Sequence, residues 1–163
     1  GVIRGVGAGL NQPAYLTDYA QHAPLDVALL ANRYTLLEQE PMEEAFPLAM
    51  QHDIRVMVGG VFNSGILALG GLPGVRYYYQ PAPEPVRRLT RLIEGVCATH
   101  GVSLKAAAMQ FAAAHPAVST LVLGMAKPAE IDENLANLNA PIPAAFWAEL
   151  KSRGLIEAGA PTP

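Results

Sequence analysis

An α/β fold on a parallel sheet is the class this sequence predicts, and three observations predict it. Four short aliphatic runs are spread along the chain: Gly1 to Gly9, Leu25 to Ala31, Ile54 to Val61 and Ser119 to Gly124. None alternates cleanly between polar and apolar residues, a pattern that predicts strands covered on both faces. Helix-like segments separate the runs, and strands alternating with helices imply parallel pairing through right-handed crossovers.

The helical segments follow from local signals. Pro13 to His22 comes first, with Asn11 as a possible cap. Pro41 to His52 carries Glu43 and Glu44 near its start, where the helix dipole favours acids. Glu84 to His100 is long and amphipathic, with Val86, Leu89, Leu92, Ile93 and Val96 at helical spacing. Gly101 then ends it, as a left-handed glycine commonly does. Ser103 to His115 is Ala-rich and begins on a Ser cap. Pro128 to Leu138 and Pro143 to Arg153 follow the fourth run. The expected order is β-α-β-α-β-α-α-β-α-α. Residues 1–158 read as one domain and 159–163 as a frayed tail.

Composition narrows the partners. With 163 residues, 51% of them hydrophobic, the chain can bury one real core. A formal charge of -3 without a basic block argues against nucleic acid. Charged residues make up 15%, below the usual quarter or so, which fits either Ala enrichment or apolar surface destined for other protein. No run is long enough to span a bilayer and no signal-like leader is visible, so no membrane role and a cytoplasmic location are expected. Cys97 is the single cysteine, expected to be a buried, inert thiol. His22, His52, His100 and His115 show no metal-ligand spacing and read as surface or capping residues, so no metal site is expected.

The most informative stretch is Arg55 to Leu67. It is a short apolar run that breaks into Gly59, Gly60, Phe62, Asn63, Ser64 and Gly65. A buried strand that hands its carboxyl end to a ligand has this form, because glycine lets a ligand or another backbone approach closely. A plain turn closed by glycines would have the same residues. Gly124-Met125-Ala126-Lys127-Pro128 is a second such element. Pro128 suits the first position of a helix, whose free N–H groups would face the loop beside the Lys127 charge. Glu130 and Asn134, four apart, share a face of that helix. Gly5-x-Gly7-x-Gly9 invites a dinucleotide fingerprint, but position 12 is Gln and no βαβ acid signature follows.

Taken in order, Gly5-Val6-Gly7-Ala8-Gly9-Leu10-Asn11-Gln12, Asn32-Arg33-Tyr34-Thr35-Leu36-Leu37, Gly59-Gly60-Val61-Phe62-Asn63-Ser64-Gly65, Gly124-Met125-Ala126-Lys127-Pro128 and Glu133-Asn134-Leu135 resemble the second half of an aldo-keto reductase. Within that family the resemblance is closest to the bacterial branch of D-threo-aldose (L-fucose), L-galactose and pyridoxal 4-dehydrogenases. The resemblance implies a (β/α)8 barrel, of which this chain would supply strands five to eight. It also implies an oxidoreductase that moves hydride between nicotinamide and an aldose or an aldehyde/alcohol substrate.

The same resemblance places the cofactor here and the chemistry elsewhere. The family's catalytic Tyr, Asp, Lys and His come from the first half of the barrel, and none is assigned on this chain. Asn11 and Gln12 are expected near the nicotinamide carboxamide. Phe62, Asn63, Ser64 and Gly65 are expected at the pyrophosphate, with Gly124 and Lys127 beside it. Glu130 and Asn134 are expected toward the adenosine. Gly59 and Gly60 stand where many members carry an aromatic residue that stacks on nicotinamide, so this chain departs from the pattern there. NAD or NADP is implied, with NAD or dual use favoured because Glu130 falls near the position of an Arg that pairs with the 2′-phosphate in NADP users. The partner expected beside the substrate is the missing N-terminal half of the barrel or a second copy. The rival reading is a noncatalytic half-barrel scaffold, or a nucleotide-binding module that self-associates through open strand edges.

Overall fold

Four parallel strands in sequential order organise the chain. A computed structural model describes residues 1–163. Strands β1 (Gly7–Leu10), β2 (Val27–Ala31), β3 (Arg55–Gly59) and β6 (Val118–Val122) lie side by side, every pairing parallel. Each crossover carries a helix: α1 (Pro13–His22), then α2 (Ala45–Gln51), then α3 (Ile66–Leu69), α4 (Glu84–His100) and α5 (Leu104–Ala114). After β6 come α6 (Ala129–Asn139) and α7 (Ala144–Ser152). The first and last strands each leave one edge unpaired.

The helices pack on one face of the sheet. Ala28, Leu30, Val56 and Val58 point to that face and are fully buried, in one cluster with Leu16, Ala49, Phe46, Phe111 and Trp147. The opposite face is open, contrary to the expectation of burial on both faces. Its rows run Gly7–Val27–Arg55, then Gly9–Leu29–Met57–Thr120, then Ala31–Gly59–Val122. Gly7, Gly9, Arg55, Thr120 and Val122 on it are exposed. The strands read as largely apolar because the open face, apart from Arg55 and Thr120, carries glycine, alanine, methionine and aliphatic residues.

Several boundaries differ from the sequence expectation for identifiable reasons. The first strand begins at Gly7, and residues 1–6 are exposed, with Asp26 accepting the Val6 amide at 2.7 Å. The Pro41–His52 segment divides into a 3-10 turn at Glu40–Met42 and helix α2, with non-helical backbone at Glu44 between them. Asn11 caps nothing: Gln12 takes the cap position of α1, without a side-chain bond. An unanticipated hairpin, β4 (Arg76–Tyr77) and β5 (Gln80–Pro81), lies between α3 and α4. The tail is packed through Ala160, which is buried in the core, so it does not fray there.

The remaining local signals act as read. Helix α4 spans Glu84–His100 and Gly101 ends it at φ 65°. Ile93, Val96 and Cys97 form its buried stripe, while Leu92 stays partly exposed. Ser103 caps α5 by accepting the Ala106 amide. Burial pushes the Cys97 thiol up to about 12, with Glu94 adding to the effect, so it stays protonated near neutral pH. No helix is long and apolar enough to cross a membrane.

Candidate functional site

The carboxyl ends of β2, β3 and β6 converge on a cleft of about 290 Å³. In parallel α/β folds this end of the sheet is where ligands bind. Its floor and walls come from Gly60, Val61, Phe62, Ser64 and Gly65 after β3, and from Val122, Leu123 and Gly124 at the end of β6. Asn32 and Tyr79 complete it. Gly60, Phe62, Ser64, Gly65 and Gly124 are five of the residues singled out in the sequence. Gly59 stands one residue earlier, buried in β3.

The loop after β3 is sharply folded. Gly60 has φ 67°, Asn63 45°, Ser64 62° and Gly65 103°. Gly60 has to be glycine on two counts: its backbone is left-handed, and a Cβ there would overlap the Asn32 carboxamide. Asn63 does not face the cleft as expected. It is fully buried, donates from Nδ2 to the Asn32 carbonyl at 3.4 Å, and leaves Oδ1 without a partner. Its role is to fold the loop.

Donors remain free where the cleft opens. The N–H groups of Phe62 and Gly124, both on the cleft wall, have no acceptor within the chain. Ser64 Oγ accepts the Tyr79 amide at 3.0 Å, which leaves its own proton available to donate. A Cβ at Gly124 would meet nothing within 4 Å, so the backbone there is open to close approach. Unpaired N–H groups, a free hydroxyl and a glycine wall suit phosphate oxygens.

Helix α6 contributes differently from the expectation. The Glu130 carboxylate turns back and accepts the Ala126 amide at 2.7 Å. That hydrogen bond holds its pKa below the ordinary carboxylate value, and the adjacent Lys127 lowers it further. Glu130 thus occupies part of the donor capacity at the start of α6 and sets its charge beside Lys127. Asn134 does not share the cleft. It lines a separate apolar groove with Ile131, Leu135 and Leu138, and Leu123 is the wall common to both. Glu133 pairs with Lys105.

Arg33 is the organising residue that sequence reasoning missed. Its Nε donates to the Asn11 carbonyl at 2.8 Å, its guanidinium lies 5.0 Å from the Tyr78 ring centroid, and Nη1 is 3.7 Å from Glu40. One side chain therefore ties the ends of β1 and β2 to the hairpin. Asn11 enters the site through its backbone, while Gln12 is exposed and lines no part of the cleft. Tyr78 donates its hydroxyl to the Asn32 carbonyl at 3.0 Å. A signal for the hairpin was present in Tyr77-Tyr78-Tyr79, a β-prone aromatic run between Gly74 and Pro81.

Two residues of acid–base type lie outside the cleft. Tyr34 is fully buried between Phe46 and Phe111, and burial pushes its pKa well above the ordinary tyrosine value. His115 is buried against the Tyr34 and Phe46 rings, not at the surface as expected, and accepts the Ala117 amide on Nδ1 at 3.1 Å.

Comparison with known proteins places this architecture. The family model described as "Aldo/keto reductase family" matches residues 1–154. The chain belongs to the aldo/keto reductase family. Pyridoxal 4-dehydrogenase of Microbacterium luteolum is 39% identical over 156 residues, covering 96% of this chain and 46% of the relative. D-threo-aldose 1-dehydrogenase of a Pseudomonas species is 37% identical over 165 residues, covering 100% of this chain and 49% of the relative. The chain spans about half the length of these curated relatives. Among solved structures, the apo form of aldo-keto reductase AKR11C1 from Bacillus halodurans superposes with a TM-score of 0.74 at 25% identity, over 98% of this chain and 53% of that one. The parallel sheet with its helices is thus a piece of aldo/keto reductase architecture.

Proposed function

We propose that this aldo/keto reductase chain is the cofactor-holding half of an NAD(P)-dependent dehydrogenase acting on an aldose or on an aldehyde/alcohol such as pyridoxal. The observation that carries the reading is the convergence of three strand ends on one glycine-walled cleft with unpaired donors. Bound there, the nicotinamide dinucleotide would supply or accept the hydride. The chain's own residues bind and orient it. The Phe62 and Gly124 amides and the Ser64 hydroxyl meet the pyrophosphate. Lys127 offsets its charge, and Arg33 holds the β1 and β2 ends in place. Asn11, Gln12 and Asn134 keep the neighbouring roles at the two ends of the cofactor.

In this reading β1, β2, β3 and β6 are strands five to eight of a (β/α)8 barrel, and the open face is its interior. The proton-transferring residues come from strands one to four, which would pair with the open edges of β1 and β6. Sequential strand order and one covered face support this. A doubly wound sheet would reverse its order and carry helices on both faces. The test is an assay of the intact protein for oxidation of D-threo-aldoses and pyridoxal with each cofactor. Cofactor-dependent turnover of either substrate is expected. An intact protein that binds neither NADH nor NADPH would contradict the proposal.

A further inference from the structure

Six polar side chains are buried in the chain, and five of them are used in hydrogen bonds within the fold: Thr35, Asn63, Thr90, Gln110 and His115. Asn32 is the exception. It is 8% exposed, and its hydrogen bonds run through the backbone alone: the carbonyl accepts from Tyr78 and Asn63, and the amide donates to Gly59. The Tyr34 hydroxyl and the Trp147 indole are also unpaired, but both are sealed in the core. The Asn32 carboxamide instead lines the cleft at the strand ends. Withdrawing an amide from water without a partner is costly, so one kept at a cleft points to a ligand that completes it.

The backbone does not account for this side chain. Its φ of 61° suits glycine as well as asparagine, and the main-chain bonds that hold the turn would form around either. The surroundings define what the carboxamide could meet. Around the same space of about 290 Å³ stand the unpaired Phe62 and Gly124 amides and the Ser64 hydroxyl, and no acidic side chain lines it. Asn32 Oδ1 lies nearer than Nδ2 to the place a Gly60 Cβ would take, so Nδ2 is the end turned from Gly60. Asn32 thus adds a fourth donor to a cleft that offers donors already, and such a set fits an anion with several acceptor oxygens.

We infer that Asn32 is a cofactor-binding residue, donating from Nδ2 to a pyrophosphate oxygen of the bound dinucleotide. The inference rests on the proposed function and deepens it. A neutral donor held in place before binding makes a charge-assisted hydrogen bond to an anion without the cost of ordering a mobile side chain. It also brings the end of β2 into the cradle that the ends of β3 and β6 form.

The test is calorimetric titration of the intact protein, as wild type, Asn32→Gly and Asn32→Asp. The probes are NADH, NADPH and the ADP-ribose portion of each, which keeps the pyrophosphate and lacks the nicotinamide. Asn32→Gly should weaken binding about tenfold while Tm holds within about 2 °C, because glycine adopts positive φ freely. Asn32→Asp keeps the shape and sets a carboxylate against the anion, so about a hundredfold loss is expected. Each variant should weaken a dinucleotide and its ADP-ribose portion by the same factor. A loss confined to the probes that carry nicotinamide would put the contact at the ring and overturn the inference alone. Asn32→Asp binding as tightly as Asn32→Gly would show a side chain facing a hydroxyl or amino group, and would overturn it too, as would variants that bind like wild type. A wild-type protein that binds none of the probes overturns it along with the function it rests on.

Discussion

The Asn32 carboxamide fills the space that a side chain at Gly60 would need. Both residues have left-handed backbones, φ 61° and 67°, and the Asn32 amide donates to the Gly59 carbonyl at 2.8 Å. The ends of β2 and β3 are locked together at the mouth of the cleft by this fit. Gly60→Ala adds both a clash and backbone strain, so a loss of about 2 kcal/mol is expected. Urea unfolding of the intact protein measures it, and a change within about 0.5 kcal/mol would show that the loop yields easily.

Tyr78→Phe removes one hydrogen bond and leaves the Arg33 contact with the ring. The Asn32 carbonyl keeps Asn63 Nδ2 as a donor, so it is not orphaned. The expected cost is about 1 kcal/mol in the same unfolding experiment. Arg33→Met should cost more, about 2 kcal/mol, because it frees the Asn11 carbonyl, the Tyr78 ring and Glu40 at once.

These contacts also mark the limit of what the sequence disclosed. Helix α4, its Gly101 end, the Ser103 cap and the glycine loop after β3 were legible because their signals lie within a few residues. The Arg33 and Tyr78 contacts join residues 22 and 46 positions apart, and no local pattern encodes them. The open face was misread because Gly7, Gly9, Ala31 and Gly59 are apolar and small, so the strands look alike whichever face is covered. Asn63 was drawn into the site by its place in a polar loop, whereas its amide is buried to shape that loop.

His115 predicts a pH dependence. Burial lowers its pKa in the folded state, so the folded protein binds fewer protons than the unfolded chain as pH falls below 6.5. Its contribution to stability is complete above that value and is lost as pH falls through the folded pKa. His115→Asn keeps an acceptor for the Ala117 amide without titrating, and it should flatten the stability slope below pH 6.5. Glu84, Glu130 and Glu149 have lowered values, so their contributions are lost below 4.5, in a separate window. An unchanged slope in the variant would assign the effect to other groups.

Glu130 predicts cofactor choice. Its carboxylate is held on the Ala126 amide beside Lys127, so replacing it changes both the charge and the donors free at α6. In the intact enzyme Glu130→Arg should raise kcat/KM for NADP over NAD about tenfold, equivalent to roughly 1.4 kcal/mol. Glu130→Gln should give a smaller shift in the same direction. An unchanged ratio in both variants would leave Glu130 as an acceptor for the Ala126 amide alone.

Residues 1–163 expressed alone should self-associate and show no turnover. Two unpaired strand edges and an open apolar face are exposed in this segment. Sedimentation velocity should detect dimers or larger species. A stable monomer that binds no apolar dye, or turnover comparable to the intact enzyme, would contradict the half-barrel account.

Hydrogen–deuterium exchange of the intact protein with and without bound dinucleotide tests the central claim most directly, because it reports where the cofactor sits. Saturating NADH or NADPH should protect the amides of 60–66 and 123–127 and the hairpin around Tyr79, and leave 1–6 unchanged. Protection confined to other parts of the chain, with binding itself demonstrated, would contradict the assignment of this cleft as the cofactor site.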